Sequence, residues 1–67
     1  MNNPANYLGY KVVLCQVKLV KMADFDDYES AHSYARRRRL DKFTTWVEII
    51  AIDKEEGVVT LDFWRPN

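Results

Sequence analysis

The chain has one cysteine, two glycines, two prolines, one histidine and no net charge, and each shortage closes off a class of explanation. Cys15 cannot form an internal disulfide, whereas small secreted domains are normally stapled by several, so a reducing, cytoplasmic setting is expected. His32 stands without a Cys-x-x-Cys or His-x-x-x-His companion, so neither a metal site nor a cofactor is expected. The glycines stand alone at positions 9 and 57, which excludes a phosphate-cradling glycine-rich loop and a nucleophile elbow. Ten acidic residues cancel ten basic ones, so net charge does not steer the whole molecule to nucleic acid or to an anionic membrane. The uncharged run at 12–17, which includes Gln16, is far too short to span a bilayer, and residues 1–6 carry no basic residue and lead into no leucine-rich stretch. Neither a membrane span nor a signal peptide is expected.

What is present is the composition of a folded chain: 48% hydrophobic, 13% aromatic and 30% charged over 67 residues. One domain of this length has a small core, and association commonly adds the stability that the core lacks. It also has little room for a ligand-sized pocket, so no enzymatic activity and no small-molecule substrate are expected.

Residues 1–8 read as a flexible arm. The run at 10–21 is dense in Val, Leu and Tyr without a breaker and reads as one long strand. Phe25-Asp-Asp-Tyr-Glu-Ser-Ala has the form of a helix start, with Asp26 as N-cap and Glu29 three residues on as an acidic capping box. Of the acidic group Asp24, Asp26, Asp27 and Glu29, capping already accounts for Asp26 and Glu29, and a calcium-loop glycine is missing. A helix over 27–40 follows, with Tyr28, Ala31, Tyr34 or His32, and Ala35 as its apolar stripe. Strands are expected over 44–53 and 58–65, joined by Lys54-Glu55-Glu56-Gly57 with Gly57 in a left-handed turn position. The fold expected is therefore α+β, a two-layer β-α-β-β domain with one helix on a three-stranded sheet. Whether the first strand pairs with the second or the third is not readable.

A helix of about fifteen residues is roughly 22 Å long and covers one face of such a sheet. Strand alternation groups Val13, Cys15, Val17 and Leu19 with Val47, Ile49 and Ala51, and with Val59, Leu61 and Phe63, as the layer under the helix. The opposite face then carries Tyr10, Val12, Leu14, Trp46, Ile50 and Trp64, an apolar surface suited to a protein partner or a second copy. Two things would change this assignment: the arm with Tyr7 and Leu8 folding over that face, or a single β-bulge, which exchanges the faces.

Arg36, Arg37, Arg38 and Arg39, with Lys42, form a basic cluster that suits the negative end of the helix dipole. Successive helical residues point about 100° apart, so the four do not form one flat basic face, and Asp41 stands within ion-pairing distance of Arg37 and Arg38. Two readings stand: an electrostatic rim to a protein interface, or contact with nucleic-acid phosphates.

The segment Phe25-Asp-Asp-Tyr-Glu-Ser-Ala-His-Ser-Tyr-Ala-Arg, followed by Trp-Val-Glu-Ile-Ile, resembles the helix-and-strand unit of short phage and bacterial β-α-β accessory proteins. Some of these bind and inhibit a host enzyme and others counter defence systems, so the resemblance implies a non-enzymatic modulator of a host protein. It carries no functional residue across. The alternative is a small nucleic-acid-binding accessory protein that uses the arginine cluster.

Overall fold

In a computed structural model, residues 7–66 are described, and the apolar run expected to form one strand forms two. β1 (Tyr7–Gln16) and β2 (Leu19–Phe25) are an antiparallel hairpin in which Gln16 faces Leu19 across the two-residue turn Val17-Lys18. Nothing in the local sequence announces this turn. Two-residue hairpins favour Gly, Asn or Asp where φ is positive, yet Val17 sits at φ 59°, a conformation that β-branched residues resist.

The turn is held from outside. The Val17 N–H donates to the Phe43 carbonyl at 3.1 Å, and Thr45 Oγ1 donates to the Cys15 carbonyl at 3.1 Å. Gln16 Nε2 donates to Asp41 Oδ2 at 2.9 Å and to Thr44 Oγ1 at 3.4 Å. Non-local hydrogen bonds to residues 41–45 thus offset a backbone conformation that costs about 1–3 kcal/mol.

Three further elements complete the chain: α1 (Tyr28–Arg39), β3 (Thr44–Asp53) and β4 (Gly57–Trp64). The sheet order is β2-β1-β3-β4, with every neighbouring pair antiparallel. The fold is α+β with one helix on a sheet, as expected, but the sheet has four strands rather than three. β1 pairs with β3, and β2 and β3 run in the same direction with β1 between them. Tyr7 and Leu8 belong to β1, not to a free arm; the rest of the expected arm, residues 1–6, lies outside the described residues.

The helix cap is displaced by one residue from the expected position. Asp27 is the N-cap, its Oδ2 accepting from the Ser30 N–H at 3.2 Å, so Asp26 is left as an exposed linker residue. At the other end the Leu40 and Asp41 N–H groups donate to the Arg37 and Arg38 carbonyls. Between β3 and β4 the turn is as expected, with Gly57 at φ 82° opposite Asp53.

Residues directly opposite one another in an antiparallel pair share a face, so the register settles which side chains meet α1. Tyr10, Val12 and Leu14 lie opposite Ala51, Ile49 and Val47, and all six are buried with Ala31 and Ala35 of α1. The two alanines are fully buried, and their small side chains let the helix lie close to β1 and β3. For β3 the expected helix-facing layer is correct. For β1 it is reversed: Tyr10, Val12 and Leu14 form the core, and Val13 and Cys15 face away from the helix.

Two features account for these differences, one by withdrawing the residues that had weighted the expected face of β1 and one by re-aiming the end of β4. Ending β1 at Gln16 removes Val17 and Leu19 from its alternation. In β4, Ile49 faces Asp62 while Ile50 faces Thr60, so Leu61 is a bulged residue that changes the parity of everything after it. Trp64 therefore packs against the core cluster opposite Val47, and Phe63, expected under the helix, turns to the other face.

Two measurements check this assignment. Leu14→Ala is expected to lower the unfolding free energy by about 3 kcal/mol, while Val13→Thr changes it by less than about 1 kcal/mol; the reverse order in urea titrations would contradict the face assignment. Val17→Gly, by relieving the positive φ, is expected to raise stability by about 1 kcal/mol despite its entropic cost, read as a higher denaturant midpoint at unchanged slope.

Candidate functional site

α1 covers one side of the sheet, and on the other side the register places an apolar surface with no element over it among the described residues. At the end near the β1–β2 turn, Val20, Cys15 and Trp46 stand side by side across three strands. The next row is Met22, Val13, Glu48 and Phe63, and the one beyond it is Asp24, Lys11, Ile50 and Thr60. Met22 is 65% exposed, Val20 62% and Phe63 53%, so the outer strands offer their apolar side chains to solvent.

This surface is partly pre-ordered. Trp46 and Phe63 stack with ring centroids 6.2 Å apart and planes at 29°. Lys11 and Asp24 pair at 3.0 Å, and Thr60 Oγ1 donates to Glu48 Oε2 at 2.6 Å, so polar contacts tie neighbouring strands on the same face. Cys15 lies here rather than in the core, its thiol 3.7 Å from the Val17 carbonyl.

Of the six residues expected on the binding face, the structure leaves Trp46 and Ile50 there, Ile50 being only 9% exposed. Tyr10, Val12 and Leu14 are buried beneath α1, and Trp64 lies on the helix side beside Arg39. Sequence reasoning missed Val13, Val20, Met22 and Phe63. One signal was present for β1: with the strand ended at Gln16, Lys11 shares parity with Val13 and Cys15 and marks the solvent side.

The arginine run does not act as a unit. Arg39 Nη2 pairs with Asp62 Oδ2 at 2.7 Å and its guanidinium lies 5.9 Å from the Trp64 ring centroid, which fastens the end of α1 to β4. Arg38 lies 5.1 Å from the Tyr34 ring centroid. Arg36 and Arg37 are exposed on the outer side of the helix, where with Ser33 and Leu40 they line a shallow depression of about 320 Å³. Lys42 lies 5.3 Å from the Phe43 ring centroid. Asp41 pairs with none of the arginines among the described residues; its carboxylate accepts from Gln16 Nε2 and from the Phe43 N–H at 3.0 Å.

Topology also separates the charges that cancel in the total. β1 ends, β2 begins, α1 ends and β3 begins at the same end of the sheet, so Lys18, Arg36, Arg37, Lys42 and Arg65 collect there. Asp26, Asp27, Glu29, Asp53, Glu55 and Glu56 collect at the opposite end. A ten-residue strand puts these ends about 30 Å apart, several times the screening length of about 8 Å at physiological salt. Even with Asp41 at the basic end and Lys54 at the acidic one, each end carries an excess of its own sign, a feature that the zero total conceals.

Among the described residues no cluster of His, Cys, Asp or Glu has the arrangement of a metal site, and no helix is long and apolar enough to cross a membrane. In comparison with known proteins, no protein-family model matches the chain, and no curated protein or solved structure matches it significantly.

The division of labour among the arginines is testable by thermal unfolding. Arg39→Ala is expected to cost about 1 kcal/mol through the lost Asp62 pair and Trp64 contact, while Arg36→Ala and Arg37→Ala stay within about 0.5 kcal/mol of the parent.

Proposed function

We propose that the protein is a small non-enzymatic protein-binding module whose contact surface is the helix-free face of the sheet, centred on Val13, Val20, Met22, Trp46 and Phe63. The observation that supports this reading is the pair of largely apolar rows, Val20-Cys15-Trp46 and Met22-Val13-Glu48-Phe63, over which no described element lies. A chain this short gains by burying such a surface, and Trp, Phe and Met on a pre-formed sheet are the side chains around which binding energy concentrates. The stacked Trp46 and Phe63 lose little conformational entropy on contact, and unbranched Met22 adapts to a partner's contour. The proposal extends to a cytoplasmic modulator or inhibitor of a host protein, the role implied by the phage and bacterial accessory proteins that the helix segment resembles. Arg36 and Arg37 stand apart from this surface, since α1 lies on the other layer.

The nucleic-acid reading now rests on Arg36, Arg37 and Lys42 alone, because Arg38 and Arg39 are engaged with Tyr34, Asp62 and Trp64. The two readings separate in one set of variants. With the immobilised chain as bait in an extract of its native host, a specific partner is expected to be retained by the parent and lost by Met22→Lys and by Trp46→Gln, with circular dichroism unchanged. Retention that survives both substitutions rules out the face. A DNA or RNA gel shift removed by the double variant Arg36→Ala, Arg37→Ala would favour the alternative.

A further inference from the structure

The two edges of the sheet are treated differently. β4 is interrupted by the Leu61 bulge and followed by Arg65 and Pro66, features that discourage another strand from pairing with it. β2 has seven residues in unbroken register with β1, no proline and no bulge, and its Leu19, Val20, Lys21 and Met22 are all exposed. Among the described residues no strand pairs with this edge, and its outward backbone groups form a template for a further strand.

The register identifies which groups these are. In a two-residue hairpin the residues flanking the turn, here Gln16 and Leu19, exchange hydrogen bonds, so Leu19, Lys21, Ala23 and Phe25 direct their backbone groups towards β1. Val20, Met22 and Asp24 direct theirs outwards.

From this geometry we infer that β2 is a self-pairing edge: two copies join β2 to β2 antiparallel about a two-fold axis at Met22 and form one continuous eight-stranded sheet. The symmetry is restrictive. A two-fold axis normal to the sheet keeps both helices on the same side and pairs residues of the same parity. Centred on Met22, it sets Met22 against Met22 and Val20 against Asp24 of the other copy, all of them outward-facing positions. Each such pair exchanges two hydrogen bonds, about six in all.

Charge complementarity selects a second copy as the occupant. Antiparallel pairing brings the basic end of one copy beside the acidic end of the other, and the Met22-centred register carries Lys18 to Asp26 of its mate, twice. Asp26 is free for this role because Asp27, not Asp26, caps the helix. Zero net charge leaves no overall repulsion between copies to overcome. The dimer leaves the helix-free faces open and side by side, so this inference is independent of what those faces bind.

Light scattering and sedimentation of the full chain at rising concentration test it. A species of twice 7.9 kDa is expected, and a chain that stays monomeric into the high micromolar range overturns the inference. Met22→Pro removes an outward N–H without touching β1, so a folded monomer is expected; a folded dimer excludes edge pairing. Should that variant not fold, the charge exchange decides. Lys18→Asp and Asp26→Lys are each expected to weaken the dimer about tenfold, and the double variant to restore it; absence of restoration removes the register. Hydrogen exchange at Val20, Met22 and Asp24 should slow as the dimer forms. A dimer lost in Trp46→Gln but retained in folded Met22→Pro would mean that the copies meet through their faces, which refutes the edge.

Discussion

One helix lies on a four-stranded sheet, and most of what is particular to this protein follows from that mismatch. A sheet has two faces, and a single twelve-residue helix buries one of them. Because both sides of β1 and β3 are built largely from Val, Ile, Leu and Trp, the uncovered side is not the polar surface that a half-buried antiparallel sheet usually shows. The stacked Trp46 and Phe63, with Met22 and Val20 beside them, are the visible result.

The same shortage of covering structure shapes the energetics. Among the described residues the core cluster has eight buried members, and Leu14, Ile49, Val12 and Val47 are the largest fully buried side chains. Around it the polar contacts are few and specific: Arg39 to Asp62 joins helix to edge strand, and Gln16, Asp41 and Thr44 join the first hairpin to the loop after the helix. The strained turn at Val17 depends on that second group. Local structure is here enforced by distant residues, which is why the hairpin did not announce itself.

How much was legible differs by element. The helix, β3 and the β3–β4 turn were readable because capping acids, β-branched residues and Gly57 each act within a few residues of themselves. The first hairpin was not, because its turn is selected by hydrogen bonds to residues 41–45 and not by turn-forming residues. The candidate face was half legible. β3 has clean alternation, so Trp46 and Ile50 lie on the face expected of them; in β1 the hidden turn let Val17 and Leu19 weight the wrong parity as core, although Tyr10, Val12 and Leu14 form it, and in β4 the Leu61 bulge carries Trp64 to the core side.

The sequence by itself determined the class of fold, the number of helices, the position of the α1 stripe at Ala31 and Ala35, and the excess of apolar residues over what one helix can cover. These depend on composition and on periodicity within single elements. Tertiary structure alone decided which apolar residues are core and which are surface, because side-chain direction in a strand reverses with each residue and a single bulged or turn residue inverts everything beyond it. It also decided where the charges lie. Of twenty charged residues that sum to zero, strand direction gathers Lys18, Arg36, Arg37, Lys42 and Arg65 at one end and Asp26, Asp27, Glu29, Asp53, Glu55 and Glu56 at the other.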